Sequence, residues 1–251
     1  MTANDPAVAE LGRWLEQARR IVVFTGAGIS TESGIPDFRS PGGLWSRLRP
    51  VPFQEFLASE DARRAAWALT LSLHARLAGV EPNRGHRAVA ELARRGKLVA
   101  VITQNIDGLH QRADPAQVVI ELHGTSAYAI CLDCGVRYEI EPIRQIFETQ
   151  GRVPYCTHCG GPVKAATISF GQAMPQAAMA AAERATRDAD LFLVLGSSLV
   201  VHPAAGLVDL AKLAGARVVI VNREATDYDA IADLVVGGEI GAVLGAALAV
   251  D

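Results

Sequence analysis

The stretch TGAGISTESGIPDFRS, Thr25 to Ser40, gathers three glycines and five hydroxyl residues directly after the apolar run Ile21–Phe24. A strand that breaks into glycine and small hydroxyl residues is a common docking place for nucleotide phosphates, because backbone N–H groups can reach the anion there. The spacing of Gly26, Gly28 and Gly34 is G-x-G-x5-G. It is not the dinucleotide fingerprint G-x-G-x-x-G, so spacing alone leaves the ligand open.

Other segments end in comparable chemistry. Thr103-Gln104-Asn105-Ile106-Asp107 closes an apolar run with two amides and a carboxylate. These suit a nicotinamide amide and ribose hydroxyls, although Asn105 and Asp107 could equally close an Asx turn and cap a helix. His123 follows Val118–Leu122 and precedes Gly124. That is a suitable place for a general base working near neutral pH; the opposing reading is a structural histidine, as for His74, His86, His110 and His202. Gly196-Ser197-Ser198 could offer N–H and hydroxyl donors to phosphate, and Asn222 could hold an adenosine ribose.

All four cysteines fall into two C-x-x-C knuckles, Cys131/Cys134 and Cys156/Cys159, with Gly135 and Gly160 just after them. Four thiolates at this spacing close a tetrahedral zinc shell with no open position, so a structural ion is expected. Two disulfides are the alternative. The absence of a secretory leader pattern and of a leftover cysteine favours zinc. His158 lies inside the second knuckle and is not needed as a ligand.

These residues need a scaffold that brings strand ends together. The chain has 251 residues, half of them apolar, and a mean hydropathy of +0.19. Ala7, Val8, Leu11, Trp14, Leu15 and Ala18 recur with helical periodicity and lead into the first strand. Leu98–Ile102, Val118–Leu122, Leu191–Leu195, Arg217–Val221 and Leu234–Val236 read as buried strands. His86–Arg95, Pro175–Arg187 and Pro203–Ala214 read as helices, the last with Pro203 in its first turn and Gly215 at its end. The alternation predicts an α/β fold, a Rossmann-like doubly wound parallel sheet whose ligand lies at the carboxyl ends of the strands. Two stretches interrupt it. Residues 36–80 read as a proline- and glycine-rich flap followed by a helical insertion near Asp61–Leu77, and residues 126–164 as a small zinc-ribbon module. Residues 1–35, 81–125 and 165–251 then make up the larger domain.

Charge and hydropathy exclude several classes. The formal net charge is −3 with a pI near 6.1, and the seven arginines between Arg63 and Arg95 are interleaved with acids, so a nucleic-acid footprint is not expected. Residues 1–10 have no cationic leader pattern and no run is long enough for a membrane span. A cytoplasmic protein is the expectation.

The segments GAGIS…SGIPDFRS, TQNIDGLH, ELHG, the two C-x-x-C pairs, ISFG, LGSSLVV and IVN occur in one order from about residue 20 to residue 222. In this the chain resembles the sirtuins, NAD-dependent protein deacylases. The resemblance implies NAD consumed as co-substrate between a Rossmann-like domain and a structural zinc module. Gly26-Ala27-Gly28 would let the backbone approach the NAD diphosphate, and Ser30 and Thr31 would supply hydroxyls. Asp37, Phe38 and Arg39 would belong to the cofactor loop, Phe38 shielding the reactive ribose and Arg39 orienting nicotinamide or phosphate. Gln104 would contact ribose, Asn105 would orient ribose and a water, and Ile106-Asp107 would complete the nicotinamide site through the Asp107 carboxylate. The implied reaction has the acyl-lysine amide oxygen attack the ribose carbon as nicotinamide leaves. His123 then takes a ribose hydroxyl proton, and water releases lysine and O-acyl-ADP-ribose. An acyl-lysine peptide would pair as an added strand with Phe170-Gly171 and Leu199-Val200-Val201.

One departure bears on acyl choice. Relatives that prefer acidic acyl groups resemble each other in a Tyr-x-x-Arg pair, whereas the comparable stretch Ala65–Thr70 here lacks both. Burying a succinyl carboxylate without a partner is costly, so an acetyl or longer apolar acyl group is expected. Gln172, where many relatives carry Glu, supports no conclusion at this level. Two other readings stay open: a protein mono-ADP-ribosyltransferase using the same NAD chemistry, and a zinc-ribbon binding module.

Overall fold

The structure is a computed structural model describing residues 5–37, 43 and 49–250. In chain order its elements are α1 (Pro6–Gln17), β1 (Ile21–Thr25), a 3-10 helix (Ala27–Ser33), α2 (Phe53–Ala58), α3 (Glu60–Leu77), α4 (Arg84–Arg94), β2 (Leu98–Thr103), α5 (Leu109–Ala113), β3 (Val119–Glu121), β4 (Gly124–Cys131), β5 (Arg137–Glu139), α6 (Ile140–Gln150), β6 (Val163–Thr167), α7 (Gln176–Arg187), β7 (Leu191–Leu195), α8 (Gly206–Leu213), β8 (Arg217–Asn222), β9 (Leu234–Gly237) and α9 (Ile240–Leu248).

Local chemistry sets many of the boundaries. The Asp5 carboxylate accepts from Ala7 N–H at the start of α1, where Pro6 needs no hydrogen-bond partner. Ser59 caps α3 by accepting from Ala62 N–H. Asn83 caps α4 through Gly85 and His86, and the His86 ring reaches back to Asn83 N–H.

Six strands form a parallel sheet in the order β3-β2-β1-β7-β8-β9. Every residue of β1 and β7 is buried, as expected for strands covered on both faces. Alternate residues serve opposite layers. Ile21 and Val23 pack with Val8, Leu11, Leu92, Val243 and Leu244 from α1, α4 and α9. Val22 and Phe24 pack with Ala182, Leu207, Val208 and Ala211 from α7 and α8. The chain runs outward from β1 to β3 on one side and from β7 to β9 on the other, so the order reverses between β1 and β7. That reversal opens a crevice at the strands' carboxyl ends.

A second, antiparallel sheet has the order β5-β4-β6. Its core joins Ala129, Cys131, Ile140, Ile143, Cys156 and Val163 to Trp67 and Leu71 of α3. The Trp67 indole N–H donates to Val163 O at 3.0 Å and ties the helical insertion to β6.

The observed bounds differ from the sequence expectation in places. The helix read as starting at Pro203 starts at Gly206, and residues 202–205 before it form turns. The glycine- and hydroxyl-rich stretch after β1 forms a 3-10 helix over Ala27–Ser33. Helices α2, α5, α6 and α9 carry no early signal strong enough to be expected; α9 contains Gly241 and Gly245, which leave room for the Glu32 and Arg84 side chains.

Candidate active site

The carboxyl ends of the strands are laced to one another by their own backbones. Gly26 N–H donates to Leu195 O at 3.0 Å, Gly28 N–H to Gly196 O at 2.8 Å, Gly196 N–H to Val221 O at 3.0 Å and Gln104 N–H to Thr25 O at 3.0 Å. The loops after β1 and β7 therefore lie in direct contact. A Cβ on Gly26 would stand 2.6 Å from Gly196 O, and one on Gly28 would stand 2.7 Å from Gly196 Cα. Gly196 itself adopts φ 63°, and a Cβ there would meet Ile29 N at 2.5 Å. Glycine is required at these three positions by loop-against-loop packing, before any ligand is considered.

Above these loops the described residues enclose a cavity of about 420 Å³. Gly26, Ala27, Gly28, Asp37, Gln104, Asn105, Ile106, His123, Gly196, Ser197, Ser198 and Asn222 all line it. Phe170, Gly171 and Val201 line it too, joined by Phe56, Ala66, Trp67, Leu69, Thr70 and Leu73 from the helical insertion. The residues singled out from six separate stretches of sequence thus meet around one space, at the reversal between β1 and β7.

His123 sits where β3 passes into β4. Its Nδ1 lies 3.0 Å from Gln104 O. A carbonyl oxygen only accepts, so the proton is on Nδ1 and the basic lone pair on Nε2. The next residue, Gly124, has φ 71°, and any Cβ there would collide with Ala166 O on β6. Glycine thus lets the chain turn sharply into the small sheet just after the imidazole.

Asn105 is buried at 6% exposure, yet it reaches the cavity wall. Its Nδ2 donates to Gly26 O at 3.0 Å and to Ser30 Oγ at 3.3 Å, and its N–H donates to Thr103 Oγ1 at 3.0 Å. Gln104 Nε2 donates to Ser197 Oγ at 2.8 Å, spanning the ends of β2 and β7. Asn222 Nδ2 donates to Glu224 O at 2.7 Å.

Some of the expected contacts are made within the protein. Ser30 is buried and its hydroxyl donates to Asp107 Oδ2 at 2.7 Å, while Asp107 Oδ1 accepts from Leu109 N–H at 3.0 Å. Burial raises the Asp107 pKa, and the bonds from Leu109 and Ser30 work against the rise. The Thr31 hydroxyl donates to Gly28 O at 2.9 Å inside the 3-10 turn. Ser30, Thr31 and Asp107 are thus behind the cavity wall, not on it. Leu199 is buried with φ 55°, and Val200 is exposed; neither lines the cavity. Phe38 and Arg39 lie outside the described residues. Gln172 acquires a role: its Oε1 accepts from Ser169 N–H at 3.1 Å and closes the turn beside Phe170.

Reasoning from sequence passed over Arg223 and Glu224, which line the cavity directly after Asn222. Arg223 faces Glu239 at 3.4 Å and Asp37 at 4.0 Å. The strand-end rule that pointed to Asn222 applies to them as well. Lys164 was also missed. It is 5% exposed, lines the cavity, and donates from Nζ to Thr167 O at 2.5 Å and Ala165 O at 3.4 Å; burial lowers its pKa to about 8. No sequence signal distinguishes it from a surface lysine.

The four cysteine sulfurs lie within 4.8 Å of one another, with Cys131–Cys159 and Cys134–Cys156 each at 3.5 Å. A tetrahedral zinc with bonds of about 2.3 Å requires sulfur–sulfur edges of roughly 3.8 Å. The donor set and its dimensions fit a structural zinc ion. Tyr138 OH donates to Cys156 Sγ at 3.1 Å and supports the site from outside.

The model of the Sir2 family matches residues 26–203. An NAD-dependent protein deacetylase of Rhodopseudomonas palustris is 54% identical over 239 residues, covering 95% of this chain and 94% of its own length. Among solved structures, a Sir2 variant with a deacetylated p53 peptide and 3′-O-acetyl ADP ribose superposes with a TM-score of 0.88 at 35% identity, over 96% of each chain. A Sir2 complex with a p53 peptide and NAD+ gives 0.84 at 36% identity, over 94% of each chain.

Proposed function

The chain belongs to the Sir2 family and is an NAD-dependent protein deacylase acting on acylated peptides, and from that premise we propose what each residue around its cavity does. NAD supplies the chemistry, an electrophilic ribose carbon exposed when nicotinamide departs. The protein's part is to bind, orient, exclude water and move one proton.

His123 is the general base. Its Nδ1 proton is held by Gln104 O, which leaves Nε2 to take a ribose hydroxyl proton. This contact is the observation that carries the reading, because it fixes the tautomer a base requires beside Gln104 and Asn105. Asn105, anchored through Gly26 O and Ser30 Oγ, orients ribose and a water, and Gln104 contacts ribose. The amides of Gly26 and Gly28 already donate within the protein. The diphosphate therefore falls to the amides of Ala27, Ser197 and Ser198 and to the Ser198 hydroxyl. Asn222 takes the adenosine ribose. Ile106 contacts the nicotinamide face, and Asp107 acts from behind by holding Ser30. Asp37, Phe38 and Arg39 form the cover over the reactive bond. The peptide enters as an added strand between Phe170-Gly171 and Leu199-Val200-Val201. Phe170 is half exposed, and its carbonyl accepts from Phe53 N–H at 2.9 Å, which links this edge to the helical insertion.

Residues 1–35, 81–125 and 165–251 serve as the NAD-binding domain, 36–80 as cofactor loop and helical insertion, and 126–164 as the zinc module. Among the described residues no helix is long and apolar enough to cross a membrane. We place the enzyme in the cytoplasm, where four thiolates persist and can hold zinc.

The test is direct. Purified protein, NAD and an acetyl-lysine peptide are combined and followed by mass spectrometry. Equal amounts of nicotinamide, free-lysine peptide and O-acetyl-ADP-ribose are expected. Label from NAD left on protein, with no deacylated peptide, would instead favour ADP-ribosyl transfer.

A further inference from the structure

Two histidines that the reaction does not use lie behind the strand ends. His86 on α4 and His110 on α5 are 0% and 1% exposed, with ring centroids 4.9 Å apart and planes at 60°. Burial lowers the pKa of His86 to about 4, helped by Arg87, and holds that of His110 well below the ordinary histidine value, helped by His86. Both rings are neutral at pH 7, so each has one N–H and one lone pair, and their partners decide which nitrogen has which.

The Thr25 hydroxyl donates its one proton to Thr103 Oγ1 at 2.8 Å. His110 Nε2, 3.1 Å from Thr25 Oγ1, must therefore be the donor in that contact. This leaves the His110 lone pair on Nδ1. His86 Nδ1 accepts from Asn83 N–H at 3.4 Å. It also lies 3.1 Å from Asn83 Oδ1, but that oxygen already accepts from Gly85 N–H at 2.9 Å and His86 N–H at 3.3 Å, which fills its two lone pairs. The His86 proton is then on Nε2. His86 Nε2 and His110 Nδ1 are the two ring atoms of this pair with no partner among the described residues, and both are buried. One is a donor and the other an acceptor.

We infer that His110 is a positioning residue holding Asn105 in place through Thr25 and Thr103, with the His86 ring only packed edge-on against it. The series runs from His110 Nε2–H through the Thr25 hydroxyl to Thr103 Oγ1, which also accepts from Asn105 N–H at 3.0 Å. Thr25 O in turn accepts from Gln104 N–H at 3.0 Å. Every donor points the same way until Thr103, so the series holds two adjacent strand ends at one relative height. Misplacing an orienting group by about 1 Å can cost on the order of 100-fold in rate.

This inference rests on the proposed role of Asn105, and two measurements keep them apart. The first is 15N-histidine NMR on the full chain, whose six histidines are sorted by the signals lost in His86→Gln and His110→Gln. Both rings are expected as Nε2–H tautomers at pH 7; an Nδ1–H tautomer at His110 overturns the inference whatever the enzyme's activity. The second is kinetic. His110→Leu is expected to lower kcat about tenfold with KM for NAD and peptide nearly unchanged, and His110→Gln, whose amide N–H can reach Thr25, to restore most of it. A leucine variant with wild-type kcat per folded molecule would sink the positioning role. Asn105→Ala is run alongside: normal turnover there refutes the reading of Asn105 itself.

Discussion

His123 Nδ1 lies 3.0 Å from the carbonyl oxygen of Gln104, so the end of β2 sets the tautomer of an imidazole at the end of β3. The bond holds the ring through Nδ1 and puts the basic lone pair on Nε2, the nitrogen proposed above to act as the base. His123→Ala is expected to cut deacylation by roughly 10²–10⁴-fold while circular dichroism and zinc content stay as in the wild type. Turnover near the wild-type rate would remove His123 from the mechanism.

The contact between the loops after β1 and β7 has no room for a methyl group. Gly28→Ala would drive Cβ into the Gly196 backbone at 2.7 Å, and backbone cannot swing aside as a side chain would. A loss of about 2–4 kcal/mol in urea unfolding is expected, with weaker NAD binding by calorimetry. Unchanged values for both would show that the loops can separate freely.

Zinc holds more than its own module. Cys131 and Cys156 share a core with Trp67 and Leu71 of α3, and the Trp67 indole is bonded to β6. Chelation is expected to lower the Tm, shift tryptophan emission to the red and abolish peptide turnover together. Metal loss that left tryptophan emission and melting unchanged would contradict this coupling.

The buried histidines give stability an acid limb. Unfolded histidine titrates near 6.5, whereas His86 in the fold titrates at about 4. Between those values the unfolded chain binds more protons, so the contribution is fully present above pH 6.5 and is lost as pH falls toward 4. The full change at His86 is about 3 kcal/mol, and His110 adds in the same direction. Asp107 and Glu121, whose pKa values burial raises, work oppositely at the acid end. Chemical denaturation from pH 7.5 to 4.5 should show falling stability, with a shallower slope in His86→Gln; identical slopes would discount the pair.

The wall that α3 turns to the cavity consists of Ala66, Trp67, Leu69, Thr70 and Leu73. The buried cation nearby, Lys164, already donates to two carbonyls. A succinyl carboxylate would be poorly compensated there. Acetyl or butyryl peptide should be processed at least about tenfold faster than succinyl peptide in kcat/KM; faster desuccinylation would instead mean that Lys164 turns toward the acyl group.

Periodicity and strand-end chemistry made most of the large sheet legible, since Ile21–Phe24, Leu98–Ile102 and Leu191–Leu195 are apolar on both faces and are followed by small polar residues. The short elements were not. Strand β5 is three residues long and α5 five, and such segments are stabilised by what they pack against. Lys164 carries no local mark at all; its place on the cavity depends on the path of β6.

The sequence by itself determined the covalent spacing: two cysteine knuckles matched to one ion, glycines at the β1 and β7 turns, and His123 next to a residue able to turn at positive φ. These follow from local geometry, which the chain carries wherever it folds. Only the tertiary structure decided which groups line the cavity. Ser30 and Asp107, 77 positions apart, satisfy each other behind the wall, while Gln104 and Asn105 reach through it. The reason is that a side chain at a strand end finds its hydrogen-bond partner among residues supplied by other strands, and a buried polar group takes whichever partner keeps it from being left unpaired.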